Sequence, residues 1–267
     1  MENSLKGQKA IITGSSSGIG KGVALSLAAA GADIVINYAG SKEKAEEVAS
    51  LASQFGGKVL VIKADVSDET EVKEMFSKTI QELGTVDILV NNAGLQKDAP
   101  FHEMTLDQWN KVIGINLTGQ FLCAREAVNE FLRRGINPHI SKALGKIICM
   151  SSVHQEIPWS EHVNYAASKG GIMLLMKSIA QGYAAKKIRI NSICPGAIRT
   201  PINKDAWGTP DSLNKLMNLI PYKRIGEIED IGKVAVWLAS DQSDHINGTS
   251  IFVDGGMTLY PGFTTNG

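Results

Sequence analysis

Tyr165 and Lys169 stand at the front of a run, Tyr165-Ala166-Ala167-Ser168-Lys169-Gly170-Gly171, after which Ile172, Met173, Met176, Ile179 and Ala180 recur at helical steps. One helical turn separates the pair, so both head groups share a face and can converge on one point. A phenol titrates at about 10 in small compounds, too high for a proton acceptor at neutral pH, and an ammonium beside it favours the phenolate. Bringing it to about 7 takes roughly 4 kcal/mol of differential stabilisation. The same pair is also an ordinary feature of an amphipathic surface helix. It becomes a proton-transfer pair only where the chain adds a nucleotide site and a hydroxyl for the reacting oxygen.

Both can be found in the elements around it. The apolar run Lys9-Ala10-Ile11-Ile12-Thr13 stops at Gly14-Ser15-Ser16-Ser17-Gly18-Ile19-Gly20, and a helical pattern follows through Val23, Leu27 and Ala30 to Gly31. Strand, glycine-rich turn and helix is the arrangement in which backbone N–H groups cradle a pyrophosphate. The spacing is G-x-x-x-G-x-G, not the usual G-x-G-x-x-G. The second strand is Asp33–Tyr38. Asp33 sits at the count expected for a ribose-binding acid but at the strand's amino end, whereas ligands bind beyond carboxyl ends. The correct end holds Asn37, Tyr38, Ala39, Gly40 and Ser41, with no carboxylate to repel a 2′-phosphate. This leans toward NADP and leaves NAD open.

The alternation continues: helix Ser41–Phe55; strand Lys58–Lys63; helix Asp68–Leu83 capped by Ser67 or Asp68; strand Val86–Val90; helical segments Thr105–Ile115 and Thr118–Arg134 joined near Asn116; strand Lys146–Met150. After the Tyr165 helix come strand Ile188–Ile193, broken by Pro195-Gly196, helix Glu227–Ala239 and strand Thr249–Val253. This predicts one α/β domain over residues 1–267, a Rossmann-type doubly wound fold with a seven-stranded parallel sheet and helices on both faces. The strand carboxyl ends share a rim that gathers Gly14, Asp65, Asn92, Ser152 and Pro195. Ser152 reads as the hydroxyl partner or as a strand-end turn serine. Asp65 reads as a turn cap or an adenine acceptor, and Asn116 as a local cap or the anchor of a proton-relaying water. His154 and His162 flank the catalytic stretch as loop residues.

Composition excludes other classes. Lys plus Arg balances Asp plus Glu, 27 against 27, so there is no footprint for nucleic acid or an anionic membrane. Met1–Gln8 lacks an apolar signal core, and no run approaches the ~20 apolar residues of a membrane span. Cys123, Cys149 and Cys194 lack metal-ligand spacing and fit buried thiols in a reducing cytoplasm; no metal site is expected.

Thr13-Gly14-x-x-x-Gly18-Ile19-Gly20, Asn91-Asn92-Ala93-Gly94, Asn116, Ser152, Tyr165-x-x-x-Lys169 and Pro195-Gly196 together resemble the short-chain dehydrogenase/reductase family over nearly the whole chain. Within it the chain is most similar to the bacterial glucose 1-dehydrogenase branch, through Asn91–Leu95, Ser151–His154 with Ile157-Pro158-Trp159, Gly196-Ala197-Ile198, Thr200–Asn203, and a tail from Asp254 that includes Tyr260-Pro261. Gln96, where that branch carries an acid, and an insertion at Gly135–Leu144 depart from it. The resemblance implies that Tyr165 is the general base, that Lys169 lowers its pKa and binds the nicotinamide ribose, that Ser152 holds the reacting oxygen and that Asn116 orders a relay. It implies that NADP or NAD lies along Gly14, Ser16, Ser17, Gly18, Ile19, Gly20, Tyr38, Asp65, Val66, Asn92, Ala93, Gly94, Tyr165, Lys169, Pro195, Gly196, Ile198 and Thr200. A homotetramer is implied as well, with the Tyr165 helix and the last strand in its interfaces.

The expected reaction is oxidation of an aldose, glucose foremost, at its anomeric carbon. Gln96, Ser152, His154, Tyr165 and Asn203 are the candidate substrate contacts, with Trp159 to stack on the sugar. The rivals are a 3-oxoacyl-thioester or other small carbonyl reductase, and a nucleotide sensor without catalysis. A sensor has no use for a tuned phenol.

Overall fold

The computed structural model describes residues 3–259; Tyr260-Pro261 of the family-like tail lie outside the described residues. Seven strands form one parallel sheet: β1 (Lys9–Ile12), β2 (Asp33–Tyr38), β3 (Val59–Lys63), β4 (Ile88–Asn91), β5 (Gly145–Met150), β6 (Ile188–Pro195) and β7 (Ser250–Val253). Their spatial order is β3-β2-β1-β4-β5-β6-β7, so the winding reverses at the β1/β4 seam, where Ala10 lies opposite Ile88. The strands read as continuous Ile/Val runs because both faces are covered. On one face Ile34, Ile36 and Tyr38 pack beneath α1 (Gly18–Ala29), α2 (Lys42–Ser53) and the helix Ile228–Ala239. On the other, Ile11, Val35, Leu89 and Ile147 pack beneath α3 (Glu69–Leu83), the long helix ending at Arg134 and the helix that carries Tyr165.

Local signals explain most boundaries. Of the two candidate caps for α3, Asp68 is the one used: its carboxylate accepts from the N–H groups of Thr70 and Glu71. α4 (Leu106–Ile113) opens on a reciprocal Thr105–Gln108 capping box. The expected pair of segments around Asn116 is instead one rod: α4 passes through a π-helical turn, Gly114–Thr118, into α5 (Gly119–Arg134). α6 is Val163–Tyr183. β6 runs on through Pro195, which pairs with Val253, so that proline ends the strand and does not break it earlier. Between β6 and the last helix, α8 (Ile228–Ala239), lie a 3-10 turn at Pro201–Ala206 and α7 (Pro210–Met217), neither of which had an expectation attached.

The Gly135–Leu144 segment lies at the amino ends of the strands, away from the rim. Ser141 Oγ and the Lys142 N–H donate to Asp241 at 2.6 and 3.0 Å, and Arg134 binds the Leu144 carbonyl and pairs with Asp87 at 3.3 Å. Beside it Lys146, 1 % exposed, donates to Gln8 Oε1 at 2.6 Å; burial pushes its pKa down to about 8.

Candidate active site

Over the carboxyl ends of the strands opens a cleft of about 900 Å³, within the size range of small-molecule and cofactor sites. One half is built by the β1–α1 turn. Gly14 has φ +62°, and a Cβ on it would stand 2.9 Å from Ala93 Cα; a Cβ on Gly20 would meet the Asn92 amide and come 2.5 Å from the Gly14 carbonyl oxygen. Only glycine permits this cradle. The amino end of α1 has neither a side-chain cap nor an acid in its first turn, leaving backbone donors open to an anion. Gly14, Ser17, Gly18, Ile19, Gly20, Asp65, Val66, Asn92, Ala93, Gly94, Pro195, Gly196, Ile198 and Thr200 all line this cleft. Ser16 and Tyr38 do not. Strand alternation turns Tyr38 into the core with Ile34 and Ile36, so Ala39 is the exposed lining residue at the end of β2.

Asn37 points inward as well. Its Oδ1 accepts from the Gly14 N–H at 3.0 Å, and its Nδ2 donates to the Ile62 and Ala64 carbonyls at 3.4 and 3.1 Å. This amide stitches the glycine turn to β3. Ser41 and Lys42, next along the chain, are engaged with Glu43 and Glu46 at 2.9 and 3.1 Å.

At the junction of the halves stand Ser152, Tyr165 and Lys169, which the end of β5 and the first turns of α6 bring to one point. Lys169 is 4 % exposed, with its Nζ donating to the Met150 carbonyl at 2.9 Å and lying 5.3 Å from the Tyr165 ring centroid. Burial lowers its pKa to about 8. Burial also raises the Tyr165 phenol; the Ser152 hydroxyl pulls it back, and the Asp98 charge adds to the rise. The expected lowering of the phenol by Lys169 is therefore not what this arrangement produces. The ammonium is tied to a carbonyl, and desolvation outweighs any attraction it exerts.

Asn116 is fully buried in the π turn, where it accepts from the Leu95 N–H at 2.9 Å and donates to the Leu95 carbonyl at 3.1 Å and to Ser168 Oγ at 3.2 Å. Its amide braces the loop after β4 against α6 and makes no hydrogen bond to Lys169.

The other half of the cleft is apolar. Leu95, Ile157, Pro158, Trp159, Pro201, Ile202, Ala206, Leu216, Leu219, Pro221, Met257 and Leu259 line it, most of them absent from the expected substrate contacts. The segment 201–219 carries several; the Thr209-Pro210 start of α7, a capping box with proline at the first helical turn, was the sequence signal for it. Of the polar residues expected here, Gln96 lines the cleft with its amide unengaged among the described residues, and His154 Nδ1 is held by the Ile157 carbonyl at 3.1 Å. Burial lowers the pKa of His154. Asn203 is consumed: its Oδ1 accepts from Thr200 N, Thr200 Oγ1 and Trp207 Nε1, and its Nδ2 donates to the Ile198 carbonyl. Both faces of Trp159 are covered, by His154 at 4.2 Å and His162 at 3.6 Å between ring centroids. Stacking on a sugar is closed to it. Among the described residues no cluster with metal-ligating character occurs.

The chain is similar to known proteins over nearly its whole length. The family model described as enoyl-(acyl carrier protein) reductase matches residues 14–258. A 3beta-hydroxysteroid dehydrogenase 1 of Eggerthella lenta is 42% identical over 263 residues, covering 98% of each chain. A glucose 1-dehydrogenase 2 of Bacillus subtilis is 39% identical, again covering 98% of each. Among solved structures, a gluconate 5-dehydrogenase of Burkholderia cenocepacia in complex with NADP and tartrate superposes with a TM-score of 0.88 at 34% identity, covering 97% of this chain and 98% of that one.

Proposed function

Since the chain belongs to the short-chain dehydrogenase/reductase family, we propose that it interconverts a secondary alcohol and its ketone on a bulky, largely apolar skeleton, with Tyr165 as the acid/base group. One observation carries the substrate class. Ile202, Leu219 and Leu259, 61, 61 and 66 % exposed, are large apolar side chains left to solvent, and all three edge the same cleft. Apolar surface gathered in one concavity beside convergent polar groups is what an apolar ligand would cover.

The residues present fit a nicotinamide dinucleotide. The glycine cradle leaves no room for a Cβ at Gly14 or Gly20, α1 presents uncapped donors, and buried Lys169 has one acceptor for three N–H groups. Gly14 to Gly20 would hold the pyrophosphate, Asp65 and Val66 the adenine side, and Lys169 the nicotinamide ribose. Bound there, the cofactor supplies or accepts the hydride. Ser152 Oγ donates to the substrate oxygen and fixes it beside the phenol. In the reducing direction Tyr165 Oη, kept protonated by burial, gives its proton to that oxygen as the new C–H bond forms and is left as phenolate; in the oxidising direction that phenolate takes the proton from the alcohol oxygen as the C–H bond breaks. Asn116 keeps the Leu95 loop, and with it one wall of the cleft, in place. No carboxylate stands at the end of β2, so NADP is used at least as well as NAD.

An aldose is the second reading, favoured by the unengaged Gln96 amide and by the relative named for glucose. One panel separates the readings: cyclohexanol, decalol, a 3β-hydroxysteroid and D-glucose with each cofactor, and an acetoacetyl thioester in reverse, followed by reduced nicotinamide. The bulky cyclic alcohols should give the highest kcat/KM. Glucose or the thioester ahead of all of them would overturn the substrate class. Leu106, Phe121, Leu132 and Leu174 are exposed on α4, α5 and α6, and we assign these faces to self-association as a homotetramer. Light scattering on the eluting protein tests it, and a monomer at working concentration would refute it.

A further inference from the structure

Asp98 and His162 lie outside the cleft, on two different loops, yet they stand directly behind its wall. His162 Nε2 is 3.2 Å from Asp98 Oδ2, while its Nδ1 is 2.8 Å from the Ser160 carbonyl oxygen, which fixes the ring. The imidazole lies flat on Trp159, with 5° between their planes, and the far face of the indole carries His154. Trp159 and His154 meet the Tyr165 ring edge-on, at 6.1 and 6.3 Å. Two further bonds join the loops: the Ala99 N–H donates to the Glu161 carbonyl at 3.2 Å, and fully buried Asn164 donates from Nδ2 to the Lys97 carbonyl at 2.9 Å. Between Trp159 and His162, Glu161 is held at φ 67°. A residue other than glycine keeps that conformation only where its surroundings impose it.

We propose that Asp98 and His162 are positioning residues, a clamp that sets the Trp159 sandwich against the Tyr165 ring and holds the Asp98 carboxylate behind it. The inference rests on the reading of Tyr165 as the acid/base group. The Asp98 carboxylate opposes loss of the Tyr165 proton. Its own pKa is raised by burial, with His162 acting against that rise. The other titratable groups around the pair are His154 across the indole, which feels His162, and Lys97 and Glu161, both exposed. Lys169 faces the Tyr165 ring from 5.3 Å.

The test needs no turnover. The phenolate is titrated in the NADP-saturated protein by ultraviolet difference against the same protein carrying Tyr165→Phe. Asp98→Asn, which removes a charge, should lower the midpoint by about 0.5–1 unit, whereas His162→Phe, which keeps a ring on Trp159 and the carboxylate in the chain, should move it by less than about 0.3 unit. Loosening alone would move both variants. An unmoved midpoint in Asp98→Asn, or an equal displacement in His162→Phe, overturns the electrostatic role. A second measurement isolates the clamp: in protein labelled with fluorotryptophan, Asp98→Asn should move the fluorine resonance of Trp159 and leave those of Trp109, Trp207 and Trp237. An unmoved Trp159 resonance overturns the clamp. Undiminished turnover in Tyr165→Phe would remove the acid/base reading alone, and this resonance would still decide whether the clamp exists.

Discussion

Asn37→Asp changes one nitrogen for one oxygen and should cost most of what a buried amide is worth. Asn37 is 1 % exposed, and its Nδ2 donates to the carbonyls of Ile62 and Ala64. A carboxylate there faces both carbonyl oxygens without a proton to offer. It orphans two acceptors at about 1–3 kcal/mol each, and the buried charge is offset only by the Gly14 N–H, which still points at Oδ1. The longer of the two bonds counts for less, so the loss should be about 3–5 kcal/mol, a large part of the ~5–15 kcal/mol by which domains are stable. The new carboxyl is favoured in its neutral form in the fold, so its pKa is raised there. The penalty is then full at pH 7.5 and shrinks as the pH falls through that raised value, because the protonated acid can donate to Ala64. Urea unfolding of the cofactor-free variant and parent, at pH 7.5 and near pH 5, measures both claims. A loss under ~1 kcal/mol at pH 7.5, or a loss that grows on acidification, would refute the reasoning.

Tyr165→Phe should cut turnover about 10²–10⁴-fold while NADP binding, followed by its quenching of intrinsic fluorescence, persists. Ala39→Asp, at the exposed end of β2, should shift the ratio of kcat/KM for NADP over NAD toward NAD by like-charge repulsion; an unchanged ratio would show that the 2′-phosphate lies elsewhere. Burial lowers the pKa of Lys146 to about 8 from an ordinary 10.5, so unfolding takes up a proton between those values and stability rises with pH across that window. Lys146→Met should remove about 3 kcal/mol of that rise relative to the parent, in which Lys169 contributes equally before and after; parallel stability curves would refute it.

How far the sequence could be read depended on the kind of information each residue carries. The strands and helices, the rim of strand carboxyl ends and the residues Gly14, Ser152, Tyr165 and Lys169 follow from periodicity and from chain order, and the structure places them together. What escaped was partner identity. Tyr38 lies at the correct end of its strand, yet alternation sends its ring into the core. Asn203 and Trp159 have suitable chemistry for a sugar, but Thr200, Trp207, His154 and His162 occupy their hydrogen-bonding and stacking faces. The effect of Lys169 on Tyr165 was argued from charge alone, and burial, invisible in a linear pattern, outweighs it. Gly114, Asn116 and Thr118 at the π turn are weak helix formers and so mark a joint near Asn116, but no local pattern shows that the helix passes through it unbroken.

The first strand to be made is not the first to be finished. β1 is an inner strand of the sheet, and its second neighbour, β4, arrives only after β2, β3 and three helices have followed it along the chain. Closing that seam brings together residues far apart in sequence, which loop entropy makes a late event in folding. Until then one edge of β1 is bare, and a bare apolar edge is a template for another nascent chain. The dinucleotide cleft straddles this seam, with Gly14 on one bank and Asn92 on the other, so a cofactor can be held only once the seam is closed. Free cofactor at a hundred times its dissociation constant adds about 2.7 kcal/mol to the closed state. The yield of soluble protein from cells should then follow their nicotinamide pool, in variants too crippled to turn over as much as in active ones.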